Sequence, residues 1–188
     1  MLDVGCGKAH LSGKLAREGN QVVGIEFNSR LAKQARMQGV RVEEKDAEEV
    51  DYGALGKFDV VMLGDVLEHL REPQKTLEKI AKASPGAVFF LQIPNVAYWR
   101  NRLEICFGNF DYRKYGVFDD THLRFFTLKT AKKMLEDAGL EIMEMVPTGT
   151  YAPRGVADAV CLPLARLWPQ MFAYGFAIRA VALNRLKC

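Results

Sequence analysis

Residue types able to do chemistry gather at three places in this chain. It opens Met1-Leu2-Asp3-Val4-Gly5-Cys6-Gly7, an apolar run carrying an acid straight into a glycine-rich turn. Gly5 and Gly7 permit a tight turn and let a ligand approach the backbone closely. Glu26 follows 21 positions after Gly5, at the close of the next apolar run. A carboxylate at such a strand end can accept two hydrogen bonds from ribose hydroxyls. The third place is set by the histidines, since His10, His69 and His122 are the chain's three side chains of ordinary pKa near neutrality. His122 is the first candidate for a general base, because Asp119, Asp120 and Arg124 lie beside it, and His69 is the second.

Strand ends must converge if these residues are to act together. Residues 2–4 read as the end of a buried strand, and residues 11–18 as the helix after the glycine turn. Residues 21–26 and 29–38 repeat the unit, with Gly39 as the stop. Residues 41–45 alternate as a brief strand ending at Asp46, and residues 58–63 form a β-rich run of the kind parallel sheets bury on both faces. Pro73 suits the first turn of a helix reaching about Ala83, and Pro85-Gly86 turns the chain into a strand over 87–93. Between Pro94 and Phe126 the rhythm changes to an amphipathic segment over 96–107 and a loop rich in Gly, Asp, Tyr and Phe. Thr127 then caps a helix that Gly139 ends. Residues 140–146 and 176–183 are the last two strands, with a helix near 157–167 between them.

Such alternation predicts an α/β fold: a Rossmann-like doubly wound sheet, mainly parallel, with helices on both faces. One domain over residues 1–188 is expected, with a substrate or lid insert at about 95–127. The first strand reads as truncated, because the chain begins inside it.

Composition narrows the function. With 188 residues and 49% hydrophobic content, one sizeable core can form. The net charge of +3 is small and its Lys and Arg are dispersed, which gives no nucleic-acid footprint. Four cysteines at 6, 106, 161 and 188 show neither CxxC nor regular spacing, so reduced thiols are expected rather than a zinc site or disulfide framework. The apolar stretch 162–183 is interrupted by Pro163, Arg166, Pro169, Gln170 and Arg179, which argues against a membrane span. No basic-then-apolar leader opens the chain, so a cytoplasmic protein is expected.

A dinucleotide loop would need a third glycine where His10 stands, and no GKS or GKT follows for a nucleoside triphosphate. The run Asp3-Val4-Gly5-Cys6-Gly7 instead resembles the acid-x-Gly-x-Gly loop of class I S-adenosylmethionine-dependent methyltransferases. The resemblance continues through Glu26, Asp46 and Gly64-Asp65-Val66-Leu67-Glu68-His69-Leu70, similar to that family's Leu-Glu-His motif, and covers nearly the whole chain. It implies a seven-stranded sheet whose last strand inserts antiparallel, and S-adenosylmethionine as cofactor. Asp3 would then favour the cationic amino-acid end, Cys6 would belong to the cofactor loop, and Glu26 would hold the ribose. Asp46 would accept from the adenine amino group, and Ala47 would offer its backbone N–H. Phe27 would pack on the adenine face or else belong to the core. Gly64 and Asp65 would border the methionine part. Ala9 replaces a third family glycine, a mild change if its φ is negative.

Residues 93–103 are similar to the W-like proteins of methionine biosynthesis, while residues 116–127 and 172–174 resemble methyltransferases of saccharide pathways. The acceptor is therefore expected to be a small molecule or saccharide, methylated at oxygen, with nitrogen left open. Methyl transfer from a sulfonium is an in-line displacement that requires no metal. Arg100, Arg102, Arg113, Lys114 and Arg124 could hold an anionic group on the acceptor, and Tyr98, Trp99, Phe107, Phe110 and Tyr112 could wall its pocket. Two other readings stay open: an adenosyl-binding accessory protein that supports a partner enzyme, and a nicotinamide-dependent oxidoreductase, the latter disfavoured by His10. A homodimer is also compatible with the sequence.

Overall fold

The computed structural model describes residues 1–149 and 156–184, with residues 156–160 given as backbone only, so Cys188 lies outside the described residues. The strands are β1 (Leu2–Val4), β2 (Val23–Ile25), β3 (Arg41–Glu43), β4 (Val60–Gly64), β5 (Val88–Pro94), β6 (Leu140–Thr148) and β7 (Gly175–Ala182). They form a single sheet in the order β3-β2-β1-β4-β5-β7-β6. β1 to β5 are parallel, and β7 enters antiparallel between β5 and β6. This is the expected sheet, closing pair included. β1 is short, but β2 and β3 are equally short, and its three residues pair in full with Val23–Ile25 on one side and with Val61, Met62 and Leu63 on the other.

Helices α1 (Ser12–Arg17) and α2 (Ser29–Met37) follow β1 and β2, α3 (Pro73–Ala83) follows β4, and α5 (Leu128–Asp137) precedes β6. Local chemistry sets their ends. The Asn28 side chain accepts from the amides of Arg30 and Leu31 at the start of α2, and Thr127 and Thr130 form a reciprocal capping box at the start of α5. Pro73 occupies the first turn of α3, where its missing N–H costs nothing.

Side chains alternate across the sheet with a period of two. Leu2, Val4 and Ile25 join Leu77 and Ile80 of α3 and Leu135 of α5 in the main core. On the opposite face Cys6, Val40 and Val42 meet Ala32 and Ala35 of α2 in a smaller one. Helices therefore flank both faces, but unevenly. Toward the β6 edge the face carrying Phe90, Val146 and Arg179 is bare among the described residues, with Phe90 46% exposed.

Two elements escaped the sequence reading: a 3-10 turn over Leu67–His69 and the single-turn α7 (Pro169–Phe172) that follows α6 (Val156–Leu167). Among the described residues no helix is long and apolar enough to cross a membrane. The 95–127 segment, containing α4 (Trp99–Cys106), is anchored by buried Asn95. The Asn95 amide nitrogen Nδ2 donates to the Ala173 carbonyl at 2.8 Å, and its Oδ1 accepts from the Ala97 amide at 3.0 Å.

Candidate active site at the carboxyl rim of the sheet

Strand order reverses between β1 and β4, and open α/β sheets bind ligands in the crevice beyond the carboxyl ends of strands at such a point. The glycine loop stands there. Gly5 has φ +67°, and a Cβ on it would lie 2.6 Å from Val66 Cγ2, so both conformation and space require glycine. Gly7 has φ +54°, yet a Cβ there would meet nothing within 4 Å, which leaves room beside the loop. Ala9 corrects an expectation: its φ is +56°, a left-handed conformation that strains an L side chain by about 1–2 kcal/mol.

Glu26 is buried at the end of β2 and clamps this loop. Its Oε2 accepts from the Gly7 amide at 2.9 Å and its Oε1 from the Asn28 amide at 2.8 Å. Each carboxylate oxygen has capacity for a further donor. Asp3 lies beneath, also buried, and burial pushes its carboxyl up to about 6, with Ser12 pulling it back and Glu26 adding to the rise. Cys6, expected among the cofactor residues, faces the other way. Its Sγ would stand 2.6 Å from a Cβ on Gly24, its amide donates to Ile25, and its carbonyl accepts from Ala9. It braces the loop from the small core, where burial pushes its thiol up to about 12.

The turn after β3 is equally ordered. Asp46 Oδ1 accepts from the Glu48 amide at 2.9 Å, and the Tyr52 hydroxyl donates to the Ala47 carbonyl at 2.9 Å, fixing the peptide beside Asp46. Arg71, which the sequence reading did not name, ties Glu48 (3.2 Å) to Asp46 (3.8 Å). Phe27 is 76% exposed, which removes the core reading and leaves its ring open beside the rim.

At the end of β4, Gly64 is exposed and Asp65 takes φ +52°, a conformation a short polar side chain tolerates. The chain then turns through Leu67–His69. Amides of Leu123 and Arg124 donate to the Glu68 carbonyl at 2.8 and 2.9 Å, and this docking carries the 95–127 segment over the rim. His122 thereby reaches His69, with ring centroids 4.8 Å apart. Both expected base candidates are brought together, while exposed His10 stays in the turn after Gly7.

The two imidazoles have defined tautomers. The Val117 carbonyl can only accept, so His122 Nδ1 donates to it, at 2.9 Å. The Thr121 hydroxyl donates to Asp119 Oδ1 at 2.5 Å and so accepts from His69 Nδ1 at 3.1 Å, the Thr121 carbonyl lying 3.2 Å from the same nitrogen. In the neutral ring each Nε2 then carries the lone pair. Burial pulls His122 below its ordinary value, and it pushes buried Glu68 up to about 8, with Asp65 and Asp119 adding to the rise.

The expected anion-binding arginines are mostly committed elsewhere. Arg100 and Arg113 both pair with Glu104, Arg102 donates to the Ala97 carbonyl, and Arg124 donates to the Arg71 carbonyl. Of the aromatic residues, Tyr98 is buried against Trp99 and Tyr174, whereas Phe107 and Tyr112 are exposed.

A family model described as a methyltransferase domain matches residues 1–145. The ubiquinone biosynthesis O-methyltransferase of Hahella chejuensis (strain KCTC 2396) is 35% identical over 102 residues, which cover 50% of this chain and 43% of that protein. The protein of the same name from Aeromonas salmonicida (strain A449) is 30% identical over 160 residues, 81% of this chain and 67% of that one. The chain spans about half the length of most of these curated relatives. Among solved structures, magnesium protoporphyrin IX methyltransferase from Synechocystis PCC 6803 with bound SAH aligns at TM-score 0.66 and 20% identity, covering 96% of this chain and 72% of that one. A SAM-dependent methyltransferase from Methanosarcina mazei aligns at TM-score 0.69 and 18% identity, covering 97% and 91%. At these identities the likeness is one of fold.

Proposed function

The chain belongs to the methyltransferase domain family, and on that premise we propose that it moves a methyl group from S-adenosylmethionine to a hydroxyl oxygen of a small-molecule or saccharide acceptor. One observation carries the reading. The Gly5–Gly7 loop with its Glu26 clamp follows the carboxyl end of β1, and the Glu68, His69 and His122 cluster follows the carboxyl end of β4, its parallel neighbour across the switch in strand order. The name O-methyltransferase carried by the curated relatives favours oxygen over nitrogen.

The residues present fit the cofactor. Gly7 leaves open space beside its backbone, Glu26 has acceptor capacity left for ribose hydroxyls, and Asp3 supplies buried negative charge near a cationic amino-acid group. Asp46 and the Ala47 peptide would take the adenine edge, and Phe27 its face. Gly64 and Asp65 would border the methionine part. When bound, the cofactor supplies a methyl carbon activated by a sulfonium leaving group. The chemistry it would supply is an in-line displacement, in which an acceptor oxygen would gain the methyl carbon as the S–C electron pair stays with sulfur. This chain's work is to align the acceptor, exclude water and let the hydroxyl proton depart, and the Glu68, His69 and His122 cluster is the part of the rim built to do the last.

Calorimetry with S-adenosylhomocysteine and with NAD tests the reading. The homocysteine compound should bind one per chain and NAD should not. Labelled S-adenosylmethionine should then pass its methyl to some member of a panel of phenols and saccharides. Binding of NAD alone would overturn the proposal, and adenosyl binding with no turnover across the panel would favour an accessory role.

A further inference from the structure

We propose that Glu68, His69 and His122 form a binding site for one divalent transition-metal ion, Zn²⁺ or Mn²⁺ in type, and that the ion is what activates the acceptor hydroxyl. One ligand-capable atom of each residue lies within 4.8 Å of those of the other two. Ligands about 2.1 Å from a shared ion stand roughly 3–4 Å apart, so side-chain adjustments of about 1 Å, shared among the three residues, close the site.

The second observation is independent of that spacing. Glu68 is 1% exposed, and its Oε2 has no hydrogen-bond partner among the described residues. A buried carboxyl oxygen without a donor costs several kcal/mol unless something positive completes it. Nothing in the fold requires an acid there, since the neighbouring positions Leu67 and Leu70 are apolar core.

A third observation concerns the imidazoles. Metal-ligating histidines characteristically give their other ring N–H to a carboxylate, a backbone carbonyl or water. His122 Nδ1 does so to Val117, and His69 Nδ1 does so to Thr121, which is itself bonded to Asp119. Both Nε2 lone pairs are thus left for a ligand, and the outer partners that orient the rings are in place. Asp65 and Asp119 add negative charge around the cluster. Two imidazoles and one carboxylate suit Zn²⁺, Mn²⁺ or Fe²⁺ over Ca²⁺, and three protein ligands leave positions open for a substrate oxygen.

The use of the ion rests on the O-methylation reading above. An acceptor hydroxyl that takes an open position has its pKa lowered, its proton passes to water, and its oxygen attacks the methyl carbon as the S–C bond breaks toward sulfur. The ion is neither oxidised nor reduced.

Binding is measured directly, apart from turnover. Protein stripped with chelator is titrated with Mn²⁺ and with Zn²⁺ by calorimetry and, for Mn²⁺, by electron paramagnetic resonance. Calorimetry with S-adenosylhomocysteine on each variant reports the fold and the cofactor site. One ion per chain is expected, with affinity falling at least about tenfold in both Glu68→Gln and His122→Asn while homocysteine-compound binding stays within about twofold. No stoichiometric ion in protein that binds the homocysteine compound would overturn the site, as would an affinity unchanged by both substitutions. Metal binding without adenosyl binding would leave the site standing and sink the methyltransferase reading instead.

Discussion

Glu26 accepts a hydrogen bond from the Gly7 amide, 19 positions earlier, at 2.9 Å. The end of β2 thus holds the turn after β1, and the carboxylate proposed to take the ribose also shapes the loop beside it. Its Oε1 bond to Asn28 extends the brace to α2, whose amides Asn28 caps.

Glu26→Ala removes both bonds and any bond to a sugar. S-adenosylhomocysteine affinity should fall by more than about tenfold, which calorimetry reads. Stability should fall by about 1–3 kcal/mol, because two amides lose a charged acceptor. Unchanged affinity with lowered stability would reduce Glu26 to a purely structural brace.

Asp3 makes the pH dependence specific. Its folded pKa of about 6 exceeds the ordinary 3.8, so the native state holds the proton more tightly than the unfolded one. The stability this group contributes is full below pH 4 and is lost as pH rises to about 6. Asp3→Asn should therefore stabilise the free protein near pH 8, by up to about 3 kcal/mol, with the gain vanishing below pH 4. The same variant should bind S-adenosylhomocysteine more weakly at pH 8. Urea titrations at both pH values check the sign, and a gain independent of pH would contradict the burial argument.

The glycines separate conformation from space. Gly5→Ala meets Val66 at 2.6 Å as well as an unfavourable φ, and should cost more than about 2 kcal/mol. Gly7→Ala meets no atom of the described residues within 4 Å, so its cost should be confined to about 1–2 kcal/mol of backbone strain while cofactor affinity drops, because the new methyl intrudes on the space proposed for the ligand. Thermal melts paired with calorimetry distinguish the two.

Ala9→Gly should stabilise. It relieves the φ of +56° at some entropic loss, for a net gain of about 0.5–1 kcal/mol and a rise in melting temperature. A fall in melting temperature would show that the buried Ala9 methyl contributes more through packing than its backbone strains.

The parts legible in the sequence were those governed by local physics. Glycines at 5 and 7, the strand-end acid Glu26 and the Thr127 cap each follow from what a short stretch of backbone demands, and the alternation of elements foretold the sheet. Glu68 was not legible as a site residue. Beside His69 it reads as an ordinary acid at the start of a turn, and its burial depends on residues 123–124 docking on its carbonyl from more than 50 positions away. The arginines misled for the same reason, since their partners Glu104, Ala97 and Arg71 are set by how the 95–127 segment folds. Ala9 misled because sequence alone does not reveal φ.

A crystal structure with S-adenosylhomocysteine tests the central claim most directly. The account predicts ribose hydroxyls within hydrogen-bonding distance of Glu26, adenine between Phe27 and Asp46, and the sulfur facing the crevice toward His69 and His122. Ribose density away from Glu26, or a sulfur directed away from that cluster, would contradict it.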